Sequence, residues 1–415
     1  MRVLSGTACI AALCACADTE APWAVAMLEA PAGPNAAQAH LAGATPAPVM
    51  LSWQEPAEGG GTTLQLARLE DERWSKPTQI AAGSNWFVNW ADFPSVVPLR
   101  TAVVAHWLVL KPDQRYAYDI AYALSKDGGT SWSQPRVLNS DDGIAEHGFV
   151  SFFDWGEDIG AVWLDGRRVA ALSIDELFEL EEPVGMTLRF AKFDDDGTVV
   201  DRGELDELVC DCCQTDAVTT AEGPVIVYRD RTTDEVRDIV VRRALDTGSA
   251  DTAAQVAWSE PVVLGPDGWV IDGCPVNGPA LAASGRHVVA AWFTAAEQRP
   301  RIRFARSLDG GVSFGPAVTV AESGALGQVD IVVTPDGTAW LSAWHKAAQG
   351  MELRVHRIAP DNSPIESRVV ATQDSSLPTD VPQLALDGDR LVFAWSRLGS
   401  RESPGRLFTA TAPLW

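Results

Sequence analysis

The chain has 415 residues, enough for one large repetitive domain or for two or three ordinary ones. Its formal charge of -24 at pH 7 repels nucleic-acid backbones and anionic lipid headgroups, which excludes both as direct partners of its surface. Hydrophobic residues at 46% allow a substantial core.

In chain order, the first feature is MRVLSGTACIAALCACADTE. One basic residue, Arg2, precedes an apolar stretch well short of the roughly 20 residues that span a bilayer, so an export signal fits it. Within it, Leu13-Cys14-Ala15-Cys16 resembles the bacterial lipobox. That resemblance implies a signal peptide over 1–15, lipidation of Cys16, and a bacterial cell-envelope protein facing the periplasm or the exterior. Cleavage nearby as an ordinary soluble signal is the alternative. Residues 16–30 then form a tether, and residues 31–415 form the folded domain. Past the leader four cysteines remain, Cys210, Cys212, Cys213 and Cys274, too few to scaffold so long a chain.

From Trp53 onward, short apolar strands ending in an aromatic recur: VMLSW to Trp53, AVVAHW to Trp107, IGAVW to Trp163, PVIVY to Tyr228, HVVAAW to Trp292, TAWLSAW to Trp344 and RLVFAW to Trp395. Their spacings of 54, 56, 65, 64, 52 and 51 residues are those of propeller blades, and the alternation inside each segment has the two-residue period of a strand. Around each lie further short strands, as in NGPALAAS, HVVAAW, RIRFARS and PAVTVAE between 277 and 322. The fold class is therefore all-β, a seven-bladed β-propeller of four-stranded antiparallel blades, with six blades and an accessory sheet as the alternative. The seventh unit lacks a fourth strand, which PWAVAMLEA (22–30) is placed to supply; SIDELFELEEP (173–183) suggests a helical insertion on the rim of blade 3.

Two turns, Ser125-Lys126-Asp127-Gly128-Gly129-Thr130-Ser131-Trp132 and Ser307-Leu308-Asp309-Gly310-Gly311-Val312-Ser313-Phe314, lie between third and fourth strands. They resemble the Asp box (BNR repeat) of the sialidase-like propeller family. The resemblance implies a fold, and it also sets a test of activity. A sialidase needs three arginines for a carboxylate, an acid/base residue, and a tyrosine paired with a glutamate. The inner strands FPSVVP, GFVSFF, QTDAVTT, NGPALAA, QVDIVVT and VPQLALD carry no arginine, so the catalytic set is incomplete.

In such a ring the starts of inner strands and the ends of second strands meet around one mouth. The candidate ligand-binding residues there are Trp86, Asp92, His147, Gln214, Arg229, Asn277, Asp330 and His345. Trp86, Trp90 and Trp155 stand outside the repeating aromatic series and are candidate walls against a sugar ring. Asp211, Asp230, Asp272 and His147 are the candidates for acid/base catalysis. Cys210-Asp211-Cys212-Cys213 and Cys274 precede two consecutive blades. They read as disulfides, with Cys274 bonded to Cys212 or Cys213, as a copper or zinc site of Cys212, Cys213, Cys274 and His147, or as reactive thiols.

The functional expectation is a monomeric envelope protein that binds a glycan, a peptide or another envelope protein at its mouth, attached to the membrane through a lipid and lacking sialidase activity. A carbohydrate-active hydrolase using Asp/Glu, and a copper- or zinc-binding protein, are the alternatives.

Overall fold

The computed structural model describes residues 23–43, 47–172, 176, 180, 183–245, 256–399 and 403–415. The leader with Cys16 and most of the 173–183 insertion lie outside the described residues. Seven antiparallel sheets form seven blades. Their inner strands are Ala37–Ala42, Val96–Pro98, His147–Trp155, Asp216–Thr220, Ala280–Ser284, Ala325–Val333 and Gln383–Asp387. Blades 1 to 6 step outward from the inner strand by hairpins, so sequence order is largely spatial order in them. Blades 1 and 4 carry one extra short strand, Arg73–Trp74 and Val262–Val263 respectively.

Blade 7 is built from both ends of the chain. Ala26–Leu28 pairs antiparallel with Arg406–Pro413, with Ala26 opposite Thr411 and Leu28 opposite Thr409. Trp23 extends this closure: its ring meets Trp415 at 5.2 Å, and its N–H donates to Pro413 O at 2.9 Å. The pairing covers the edge of Arg406–Pro413 and ties both chain ends into one blade.

The recurring aromatics are the packing unit. Trp53, Trp107, Trp163, Tyr228, Trp292, Trp344 and Trp395 are all buried between blades. A buried indole needs a partner for its N–H. Trp53 donates to Glu55 Oε2, Trp163 to Asp165 Oδ2, Trp292 to Asp267 Oδ2 and Trp344 to Asp380 Oδ1, all between 2.9 and 3.2 Å. A carboxylate close to the second-strand end therefore serves the plug in several blades.

The two Asp-Gly turns share one geometry, in blades 2 and 5. Asp127 accepts the N–H of Thr130 and Ser131 and the Ser131 hydroxyl, while Asp309 accepts the N–H and hydroxyl of Ser313. Gly128, Gly129, Gly310 and Gly311 all take positive φ, which the tight turn demands. Both turns lie on the face away from the mouth.

Candidate functional site

Inner strands run down from the mouth and line a central channel of about 780 Å³. Asp92, Gln214, Asp216, Gln328, Asp330 and Gln383 all reach its wall. What these side chains touch, however, is mostly the backbone of a neighbouring blade. Asp92 Oδ1 accepts Phe149 N–H of blade 3 at 2.7 Å, and its Oδ2 accepts the Tyr118 hydroxyl at 3.0 Å. Asp216 Oδ2 accepts Leu281 N–H of blade 5 at 2.7 Å, and Asp330 Oδ2 accepts Leu384 N–H of blade 7 at 2.6 Å. Gln214 donates to Ala91 O and accepts Gly278 N–H, while Gln383 accepts Leu41 N–H across the closing joint. The three aspartates thus join blades 2 to 3, 4 to 5 and 6 to 7. Removal from bulk water pushes the carboxyls of Asp92, Asp216 and Asp330 each up to about 7, against the pull of those same N–H groups.

The joint between blades 5 and 6 is built like that between blades 2 and 3. Phe149 and Gln328 are non-glycine residues at φ of 55°, each at a register shift in its inner strand. Each follows a glycine, Gly148 or Gly327, on which the preceding blade's Asp92 or Asn277 presses so closely that a Cβ would overlap the side-chain oxygen. Asn277 Oδ1 accepts Gln328 N–H at 2.7 Å, as Asp92 accepts that of Phe149. These are β-bulges held by a side chain from the blade before.

Arg229 is equally committed. Only 2% exposed, it donates to Asn277 O, Arg237 O and Phe293 O at 2.6 to 3.0 Å, and its guanidinium lies 4.9 Å from the Trp269 ring. It fastens blade 4 to blade 5 rather than presenting a fork to a ligand. Trp86, expected as a sugar wall, is buried and stacked on Trp107 at 5.5 Å. Trp155 packs against Trp258 at 5.3 Å. Neither ring offers a free face at the mouth, because the blade needed them as filling.

His147 is fully buried. Its Nδ1 faces Tyr118 O at 2.9 Å and its Nε2 faces Asp141 Oδ1 at 3.0 Å. Asp141, His147 and Asp165 bring three ligand atoms within 4.8 Å of one another and could hold a metal ion. Arg167 already bridges Asp141 and Asp165 at 2.7 to 2.9 Å, so a fixed cation occupies the charge role that an ion would take. Asp165 stays below its ordinary range: burial raises it, and Arg167 outweighs that.

His345 turns away from the channel. Its Nε2 lies 2.9 Å from His356 Nε2 in a separate pocket of about 320 Å³ between blades 5 and 6, beside Lys346 and Arg354. Burial, with Arg354 nearby, lowers His345 to about 4, and burial lowers His356 to about 3, so both are neutral at pH 7.

The cysteines gather differently from the expected set. Cys210, Cys212 and Cys213 bring their sulfurs within 4.8 Å of one another and could hold a metal ion. Cys210 takes the place expected of Cys274, which is exposed and outside that group, and His147 belongs to the other cluster. The physical reason is local: Asp211 and Cys212 form the centre of a turn that folds Cys210 back on Cys213, with Sγ···Sγ 2.7 Å. Burial opposes ionisation of Cys210, but hydrogen bonds from Cys212 and Cys213 and the Arg229 charge hold it well below the ordinary thiol range. Cys212 is raised first by its bond to Cys210, and Cys213 first by burial.

Among the acid/base candidates, Asp211 accepts Met186 N–H and pairs with Arg231 at 3.0 Å, yet burial keeps it raised. Asp230 is pushed to about 6 by burial and by Asp206. Asp272 is exposed. Glu146, at the approach to blade 3, is raised to about 7 by burial and by facing Asp211. Tyr118, Asp141, Arg167 and His356 were missed: Asp141 and Arg167 lie close in sequence to His147 and Asp165, whereas Tyr118 and His356 reach their histidines through strand packing that no linear signal marks.

No family model and no curated protein matches the chain. Solved structures resemble it at low identity. A protein of unknown function from Dyadobacter fermentans is 15% identical over 80% of this chain and 97% of its own, with a TM-score of 0.48. The α-L-arabinofuranosidase of Fusarium graminearum in complex with arabinobiose is 11% identical over 94% and 97%, with a TM-score of 0.48. Trypanosoma rangeli sialidase in complex with the inhibitor DANA is 11% identical, and the match covers 90% of this chain and 58% of that one, with a TM-score of 0.45. The likeness concerns the propeller fold alone.

Proposed function

We propose that this chain is an exported envelope protein, lipid-anchored through Cys16, which recognises a peptide or protein partner on its mouth face and does not hydrolyse glycosides. The observation that carries this reading is a set of exposed apolar side chains in the connections on the mouth face. Val88, Tyr116, Ile144, Val270, Leu377 and Leu398 are 46 to 68% exposed, and they come from four separate blades or the approaches to them. Exposed apolar groups grouped on one face mark an interaction surface, whereas single ones scattered over a protein need no explanation. Aliphatic groups suit a peptide or protein better than a glycan, which favours aromatic platforms; Tyr116 is the one exposed aromatic among the described residues.

Orientation agrees with this role. The closing strand rises from the face opposite the mouth, and six residues lie between Cys16 and Trp23. A lipid on Cys16 would hold that opposite face toward the membrane and turn the mouth outward. The two Asp-Gly turns are proposed to be genuine Asp boxes on the same membrane-facing side.

A photo-crosslinking residue at Ile144 or Leu377, compared with the same residue at Leu308 or Val312 away from the mouth, tests the reading in intact cells. A discrete adduct from the mouth positions alone is expected. A second reading rests on Glu146, whose raised carboxyl facing Asp211 suits a general acid. Turnover of sialosides, arabinofuranosides or uronic-acid glycosides that is lost in Glu146→Gln with unfolding unchanged would overturn the binding-only proposal.

A further inference from the structure

Three sulfurs at one turn differ sharply in access. Cys210 and Cys213 are 0% and 2% exposed, while Cys212 is half-buried and reachable from solvent. Residues at the two corners of a β-turn have Cα atoms within about 7 Å, the span a disulfide bridges. The Cys210 and Cys213 sulfurs are 2.7 Å apart, within a fraction of an ångström of bonding. The same separation is poor for a shared ion. With metal–sulfur bonds of about 2.3 Å, two sulfurs that close would subtend only about 72° at the metal, far below the tetrahedral angle. Around the pair sit two buried guanidinium groups. Arg237 lies against Cys210, and its Nη1 is buried without a hydrogen-bond partner. A cationic wall of this kind favours the thiolate, the form that attacks a disulfide.

We propose that Cys210 and Cys213 form a dithiol–disulfide couple that exchanges with a disulfide-bearing partner, and that Cys212 is the sulfur through which exchange enters. The steps balance by thiol–disulfide exchange alone. Cys212 attacks the partner disulfide as its proton passes to water, forming a mixed disulfide and releasing one partner thiolate. The Cys210 thiolate then attacks the Cys212 sulfur, forming a Cys210–Cys212 bond and releasing the second partner thiolate. Finally the Cys213 thiolate attacks the Cys210 sulfur, leaving the Cys210–Cys213 disulfide and returning Cys212 as thiolate. Two protein thiols are oxidised and one partner disulfide is reduced; protons follow the thiolates to water. This inference stands apart from partner recognition by the exposed apolar side chains, since it uses none of those residues.

The test is to incubate the reduced full-length protein with glutathione disulfide, quench with acid, and map linkages by peptide mass. Peptide-level mapping separates the leader cysteines Cys9, Cys14 and Cys16 from the site. The expected product is a Cys210–Cys213 bond with Cys212 and Cys274 still free. In Cys212→Ser, exchange with a folded protein disulfide should slow by about tenfold or more, while the Cys210–Cys213 equilibrium shifts by less than about twofold. Cys274→Ser should change neither. A dominant bond from Cys274 to Cys212 or Cys213, or an unchanged rate in Cys212→Ser, would overturn the proposal. So would zinc or copper(I) retained at one ion per chain with all three thiols protected. The wild-type linkage map needs no variant, so it decides even if a substitution unfolds the protein.

Discussion

Replacing Arg229 with methionine should destabilise the protein severely, and the size of the loss follows from what the guanidinium holds. The side chain is buried and donates to three backbone carbonyls, Asn277 O, Arg237 O and Phe293 O. Methionine keeps much of the volume and none of the donors. Each buried carbonyl left without a partner costs about 1–3 kcal/mol. Because neighbouring losses are not additive, the total expected is about 3–5 kcal/mol, the range found when one member of a buried charged network is removed. Arg229→Lys should recover part of this, because one ammonium reaches one or two of the carbonyls but cannot fork across blades 4 and 5. The assay is equilibrium urea unfolding followed by tryptophan fluorescence, with binding of the crosslinked partner measured on the folded fraction. A lysine variant as stable as wild type but deficient in binding would refute the structural account and return Arg229 to the ligand site.

Two further predictions follow from the channel and from the closing strand. Asp216 and Asp330 rise from 3.8 in the unfolded chain to about 7 when folded, so the native state binds more protons between those values. Their stabilising contribution is therefore complete below about pH 4 and is lost as pH rises through 7, by roughly 1–2 kcal/mol per group after allowing for water in the channel. Asp216→Asn with Asp330→Asn should flatten the fall in Tm between pH 5 and 8, and an unchanged pH profile would contradict the assignment. Trp23→Ala removes the contacts to Trp415 and Pro413, and should cost about 1–3 kcal/mol, felt first at the joint. Hydrogen exchange at Ala26–Leu28 should quicken before that of blades 3 to 6; uniform quickening would mean that closure is not local.

The ring was legible in the sequence because one job recurs. An aromatic at the end of the second strand must plug the gap to the next blade, so Trp53, Trp107, Trp163, Tyr228, Trp292, Trp344 and Trp395 mark seven units regardless of what lies between. The missing fourth strand of the last unit was legible for the same reason, since a sheet edge needs covering and residues 22–30 alternate suitably. Site residues had no such periodic constraint. Asp92 and Asp216 approach the mouth in the sequence, but whether a carboxylate faces the channel or a neighbour's N–H depends on a bulge in another blade. His345 has a strand-end position and a side chain that turns sideways to His356, which the two-residue period alone does not distinguish. Among the four cysteines, entry into two consecutive blades suggested a bond across blades; the turn at Asp211 and Cys212 brings Cys210 and Cys213 together locally.

The bulges decide what chemistry the mouth has left. Phe149 and Gln328 carry positive φ, a conformation costing of order 1–3 kcal/mol for such residues, and each is held by an acceptor from the blade before. An acceptor spent in this way is not free to accept from a substrate. Asp92 cannot leave Phe149 N–H to take up a proton-transfer role without releasing the joint between blades 2 and 3. The same holds for Asn277, through which both Gln328 and Arg229 are anchored. Polar density at this mouth is therefore chiefly the hardware of ring closure. Among the groups still addressable from outside are the exposed apolar side chains from Val88 to Leu398, the Cys212 sulfur, and the Glu146 carboxyl facing Asp211. The proposed recognition and thiol exchange would draw on groups that do not join the blades, whereas Asp92 and Asn277 are not free for hydrolytic chemistry.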